Sequence, residues 1–246
     1  MHLLAIVEYD GTDFAGFQTQ KGGRTVQAEL ERALAEFGDK PVRIVGGGRT
    51  DSGVHAAGQA ASFTIDWNRD LETLQRALNA KLPADISIRR LVEVPAGFSA
   101  RYSAQSRVYE YRIYCAKARS ALKGRFALWV PAPLDAEAME QAARLVVGRK
   151  DFRSFGTPPR GENTVREMKA ARVWRDGEYI CLRFEANAFL YRMVRRLVGS
   201  LLQVGRGEIT VEQFQEIVDG KRKSGISAPP QGLTLLEIKY DPAILP

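Results

Sequence analysis

Apolar and polar positions along this chain follow two periods. Alternation, with Val, Ile, Tyr and Phe enriched, predicts strands over 2–9, 42–47, 56–65, 86–94, 107–115, 126–130, 167–175, 178–186 and 233–240. Between them the spacing becomes helical. Val26, Leu30, Ala33, Leu34 and Phe37 form one apolar stripe, which Gly38 ends. Leu71, Leu74, Leu78 and Leu82 form a second before Pro83, and Met139, Ala142, Ala143, Leu145 and Val146 a third before Gly148. Leu190, Met193, Val194, Leu197, Val198 and Leu201 make a fourth, with Arg192, Arg195 and Arg196 on the opposite side and Arg195 nearest the boundary. Thr210 with Gln213 reads as a capping box opening a fifth helix.

The strands come in hairpin-like groups with helices between them, not in strict alternation. That order predicts an α+β fold with mainly antiparallel sheet. Two halves, 1–105 and 106–246, each hold four or five predicted strands and at least two helices. The pattern is compatible with a pseudo-repeat, although the halves share no run of identity. The loosest segments are expected at Lys117–Lys123 and Thr157–Asn163.

Composition narrows the partners. A chain of 246 residues with 45% apolar content has enough core to fold without disulfides. Lys and Arg number 36 against 29 Asp and Glu, a net charge of +7, which suits a polyanionic partner. The same charge would also serve solubility alone. The two cysteines, Cys115 and Cys181, lie in strand-like runs without a CxxC pair, so buried thiols are expected rather than a zinc site. No stretch approaches the roughly 20 apolar residues of a membrane helix, and the run Leu3–Val7 is too short for a signal segment. A soluble cytoplasmic protein with no membrane partner is expected.

The segment with most chemistry follows the second strand: Val45-Gly46-Gly47-Gly48-Arg49-Thr50-Asp51-Ser52-Gly53. Its glycines permit close backbone approach. A dinucleotide loop would need Gly where Asp51 stands, and a P-loop would need Lys-Ser/Thr where Val54-His55 stands. Asp51-Ser52-Gly53 also has the form of an aspartic-protease motif, but no second copy follows to supply the paired carboxylate. On local chemistry Asp51 is either a functional acid or a turn residue capping backbone amides. His55 reads as structural, because His2 is the only other histidine and no triad or metal cluster can form.

Gly48-Arg49-Thr50-Asp51-Ser52-Gly53-Val54-His55-Ala56 resembles the signature of the tRNA pseudouridine synthase A family, whose usual form has Ala in place of Ser52. The likeness extends through Glu8-Tyr9-Asp10-Gly11-Thr12, Phe14–Gln18, Thr25-Val26-Gln27, Phe98–Ala104, Arg107–Tyr111 and Ala186–Arg195. It implies two α/β halves with sheets joined side by side and an active-site cleft between them. It also implies a homodimer acting on uridines 38, 39 and 40 of the tRNA anticodon stem-loop, with no cofactor or metal.

By the same resemblance Asp51 is the catalytic nucleophile or base, which acts on C1′, C6 or the C2′ proton. Arg195 is its cationic neighbour, favouring the ionised carboxylate. Tyr109 stacks on the flipped uracil, although alternation alone makes Tyr109 and Tyr111 core residues more readily than catalytic ones. Tyr111 fits packing. Arg49 holds the everted nucleotide or fills the space it leaves. Phe98, Arg101 and Tyr102 match one tRNA-contact segment, and Arg166 part of another. Leu233 resembles the apolar floor of the site, or else is a core strand residue. Glu110 stands where the family usually has a basic residue, at a position the alternation points outward. Lys21, Arg24, Arg153 and Arg160 are generic phosphate candidates or solvated cations. The rival function is a non-catalytic RNA-binding protein on the same scaffold.

Overall fold

The computed structural model describes residues 1–38, 41–158 and 161–244. Arg160 and part of the Thr157–Asn163 loop lie outside them. The chain divides into two compact units: Met1–Arg107 together with the segment from Thr234 onward, and Val108–Leu233. The expected halves, 1–105 and 106–246, are a single linear cut. The observed units instead return the last strand to the first.

The first unit carries a sheet in the order β4 (Ile86–Glu93), β1 (His2–Tyr9), β3 (His55–Thr64), β10 (Leu233–Lys239). The short β2 (Val45–Gly46) pairs with β3. β1 runs antiparallel to β3 and β4, while β10 runs parallel to β3. β3 is built from small side chains, HAAGQAASFT. Gly58 is required there, because a Cβ would stand 2.3 Å from the Leu236 carbonyl oxygen. Helices α1 (Val26–Ala35) and α2 (Leu71–Lys81) are capped by Thr25 and Asp70. They bury Leu30, Leu34, Leu74 and Leu78, and β1 buries Leu3, Leu4 and Val7.

The second unit orders its strands β5 (Ser106–Cys115), β9 (Tyr179–Ala186), β8 (Val165–Asp176), β7 (Gly148–Asp151), with β6 (Leu128–Val130) parallel to β5. β7, β8 and β9 are antiparallel. Helices α3 (Ala136–Arg144), α4 (Met193–Gly205) and α5 (Val211–Val218) supply Met139, Leu197 and Phe214 to a core shared with Phe152, Phe155 and Phe184. Rings of Phe152, Phe155 and Phe214 meet at 6.3 and 6.2 Å. The Thr210–Gln213 capping box forms as expected.

The α+β reading with mainly antiparallel strands holds. Three local readings need correction. β7, sequence GRKD, was not expected, since it is short, polar and an edge strand. α4 begins at Met193, not Leu190, because Arg192 adopts φ 60°, the one positive-φ non-glycine among the described residues. Lys117–Lys123 is not loose at its end: Lys123 Nζ bonds Glu178 Oε2 at 2.5 Å and lies 4.3 Å from the Tyr114 ring centroid.

Glu110 is the fourth correction. It is 3% exposed, not outward. Arg112 Nε donates to its Oε1 at 2.9 Å, and Arg183 Nη2 to its Oε2 at 2.6 Å. The departure from a basic residue is therefore matched by two arginines, one on β5 and one on the neighbouring β9. Both guanidiniums are about half exposed and can rehydrate. Glu110→Gln is expected to cost about 1 kcal/mol, read as a lower urea midpoint with an unchanged m value.

Candidate active site

Asp51 lies in a loop whose backbone is tied down from several sides within the first unit. Phe17 N–H donates to Thr50 O at 3.1 Å, and Gly47 N–H to Ala60 O at 2.7 Å. Gly53 N–H and Ser52 Oγ both donate to Phe14 O, at 3.3 and 3.1 Å. Ser52, the departure from the family signature, thus uses its hydroxyl as a loop anchor. Asp51 itself is partly exposed and Arg49 is exposed, so both are accessible beside a rigid base.

The base is Gln59. It is fully buried on β3 and uses every hydrogen-bonding position of its amide. Oε1 accepts from Gly48 N–H and Ala60 N–H, each at 3.1 Å. Nε2 donates to Gly48 O at 2.9 Å and to Tyr9 Oη at 3.4 Å. Tyr9 Oη in turn meets Thr50 Oγ1 at 2.8 Å, one residue before Asp51. Burial pushes the Tyr9 phenol up to about 12, against the lowering effect of those bonds, so it stays neutral. Arg107 closes the other side, donating through Nη2 to Gly47 O and Arg101 O, both at 2.9 Å.

Replacing Gln59 with Met keeps the volume but strands the Gly48 amide and carbonyl. We expect about 2 kcal/mol of lost stability and a melting temperature lower by about 4–8 °C. Turnover should fall while Asp51 is untouched. An unchanged melting point would mean the loop is held without Gln59.

His55 is buried, and its Nδ1 stands 3.0 Å from Gly11 N and 3.1 Å from Asp10 Oδ1. Nδ1 accepts from the Gly11 amide when it carries no hydrogen and donates to Asp10 when it does; either contact holds the turn after β1. Phe98 is buried against Tyr240, with ring centroids 5.1 Å apart. Tyr102 is 78% exposed and carries Arg101 Cζ 5.4 Å from its ring centroid. Arg24 is committed elsewhere: its guanidinium grips both Asp85 oxygens at 2.6 and 2.9 Å and Glu29 at 2.9 Å.

The second unit holds the remaining candidates. Tyr109, on β5, is 7% exposed and meets the Phe189 ring edge-on at 5.1 Å. Two residues on, Tyr111 is fully buried and donates to Pro229 O at 2.8 Å. Burial raises its phenol pKa, and the Arg195 charge opposes that rise, which places Arg195 near Tyr111. Arg195 sits in the first turn of α4. Its Nε donates to Ala228 O at 2.7 Å, and its own carbonyl accepts from Ala228 N–H at 2.9 Å. Leu233, at the start of β10, is buried. Arg166 lies at the β7–β8 pair.

The tRNA pseudouridine synthase family profile matches residues 5–103 and 142–241. The chain belongs to this family. It is 38% identical over 242 residues to a tRNA pseudouridine synthase A of Caldicellulosiruptor bescii, covering 97% of this chain and 99% of the relative. It is 42% identical over 250 residues to one of Chloroflexus aurantiacus, covering 99% and 90%. For one of Pseudothermotoga lettingae the figures are 41% over 241 residues, 96% and 98%. As a tRNA pseudouridine synthase the chain is an isomerase that converts uridine to pseudouridine in tRNA. The matched segments include Asp51, Arg49, Arg166, Arg195 and Leu233; Tyr109 falls between them.

Sequence reasoning gave no role of their own to Gln59, Tyr9, Arg107 and Ala228, although Tyr9 and Arg107 stand in segments that carry the family resemblance. Gln59 had a signal: it is the one long polar side chain in the run His55–Ser62, otherwise small after His55. Ala228 had none, because it contributes through its backbone.

Proposed function

We propose that Asp51 is the catalytic carboxylate of this tRNA uridine isomerase, acting as nucleophile or base, with Tyr109 as the platform for the flipped uracil and Arg195 as the cationic partner. The observation that carries the reading is the locked loop: an accessible acid in the family signature stands on backbone held by the buried Gln59–Tyr9–Thr50 network. Such rigidity is what a reacting group needs, since positioning error lowers rate steeply. The reaction breaks the N1–C1′ bond, turns the uracil and forms a C5–C1′ bond. C5 loses its proton and N1 gains one, so atoms and electrons balance without an oxidant.

Arg49, Phe98, Arg101, Tyr102, Arg166 and Leu233 are the proposed substrate contacts. The half-buried Arg101 beside the exposed Tyr102 fits RNA, where cations meet phosphates and aromatic faces meet unpaired bases. The family resemblance supports uridines 38, 39 and 40 of the anticodon stem-loop as targets, and a homodimer as the working form. A cytoplasmic location accords with the tRNA substrate. Among the described residues, no helix is long and apolar enough to cross a membrane.

Incubation with tRNA carrying 5-tritiated uridine tests the reading. Tritium release, with pseudouridine mapped to the anticodon stem-loop, is the expected result. Tight tRNA binding without release would overturn it in favour of a binding protein.

A further inference from the structure

The β7–β8 pair places two cations side by side. Lys150 and Arg166 are direct cross-strand partners, so their side chains leave the same face. Like charges in that arrangement repel. Arg166 Nη1 donates to Asn163 O at 3.0 Å and Val165 O at 2.7 Å. Its Nε is buried and has no hydrogen-bond partner among the described residues. A buried donor left in that state requires an explanation. Burial also holds the Arg166 pKa below the ordinary arginine value.

Lys150 lines a cavity of about 460 Å³ together with Asp151, Arg153, Val218, Asp219 and Gly220. Both carboxylates there already have partners. Asp151 accepts from Arg153 Nε at 2.6 Å and from Thr164 Oγ1 at 2.5 Å. Asp219 accepts from Gln215 Nε2 at 2.7 Å and pairs with Lys221 Nζ at 3.3 Å. Among the described residues, no carboxylate comes within ion-pair range of Lys150 or Arg166. The β7–β8 pair therefore keeps two cations together without a counter-charge bonded to either.

We propose that Lys150 and Arg166 form a binding site for a phosphate group. A tetrahedral anion would relieve the repulsion and offer several acceptor oxygens. The group is either a phosphodiester of the tRNA substrate, a source that rests on the reading above, or free phosphate. Asp219 limits the site's affinity, because its carboxylate lines the same cavity as Lys150.

Two measurements on the full chain test this. Inorganic phosphate at about 10 mM, against chloride at equal ionic strength, should raise the melting temperature by about 3 °C. Lys150→Gln should abolish that rise, Lys150→Arg should keep it, and Asp219→Asn should enlarge it. In the second arm, Lys150→Gln should weaken tRNA binding about three- to tenfold and flatten the salt slope of log K by about one. A tRNA effect assigns the phosphodiester source, and a phosphate shift alone assigns the free anion. Absence of both effects overturns the site. Tritium release by the wild type is independent of both arms, so failure of the site and failure of the isomerase reading are told apart.

Discussion

Asp51→Asn is expected to lower pseudouridine formation by at least about a thousandfold, because the amide is neither a nucleophile nor a base at neutral pH. The substitution changes one atom in shape. The loop is fixed by bonds of Thr50 O, Gly47 N–H, Gly53 N–H and Ser52 Oγ, all of which the substitution leaves in place. Gln59 and Tyr9 hold the loop from below through Gly48 and Thr50. Melting temperature should therefore stay within about 2 °C of wild type. tRNA affinity, which phosphate contacts dominate, should stay within about threefold. Measured together, single-turnover tritium release, Kd and melting temperature separate the possibilities. A tenfold loss of affinity, or a clear loss of stability, would make Asp51 a structural turn residue.

Gly199→Ala should do the opposite of what helix propensity says. In the middle of a helix this change normally stabilises by about 1 kcal/mol. At Gly199 a Cβ would stand 1.8 Å from the Ile226 carbonyl oxygen. That distance belongs to backbone, which cannot rotate away. The segment from Gly225 to Ala228 lies directly on α4: Gly225 N–H donates to Ser200 Oγ at 2.8 Å, and Ala228 exchanges two bonds with Arg195. Pushing the segment off the helix breaks those bonds, so the Arg195 guanidinium loses its bond to Ala228 O. We expect about 3 kcal/mol of destabilisation and a melting temperature lower by about 6–12 °C. At a temperature where the variant is folded, kcat should still fall, because Arg195 is displaced. Wild-type kcat in a destabilised Gly199→Ala protein would show that the segment supports the fold but not the chemistry.

Much of the architecture was readable because local preference and tertiary packing agree. β1, β3 and β4 lie where apolar runs predict strands, and Thr210 with Gln213 announces α5. Disagreement accounts for the rest. β7 is GRKD, which has no apolar periodicity and is a strand only because β8 pairs with it. Glu110 follows the outward phase of its strand, yet arginines from β5 and β9 cover it. The leucine stripe of α4 runs back to Leu190, but the left-handed Arg192 delays the helix by three residues. At the site, side-chain chemistry pointed to Asp51, Tyr109 and Arg195. The groups that hold them were silent, since Gly48 and Ala228 act through backbone atoms that any residue possesses and Gly199 through the side chain it lacks. A sequence exposes side-chain chemistry far better than it exposes which carbonyl accepts which bond.

The division of the chain has a consequence for its biosynthesis. The first unit runs to Arg107 and regains the chain at Thr234, where β10 pairs with β3 beside Gly58. A ribosome thus begins the first unit before the second but completes it afterwards. Val108–Leu233 emerges whole while the β3 edge still awaits its parallel partner. Nascent chains stalled before Thr234 should present a closed second unit beside an unfinished first one. An unpaired strand edge of that kind is the surface on which chaperones and misassembly compete during translation.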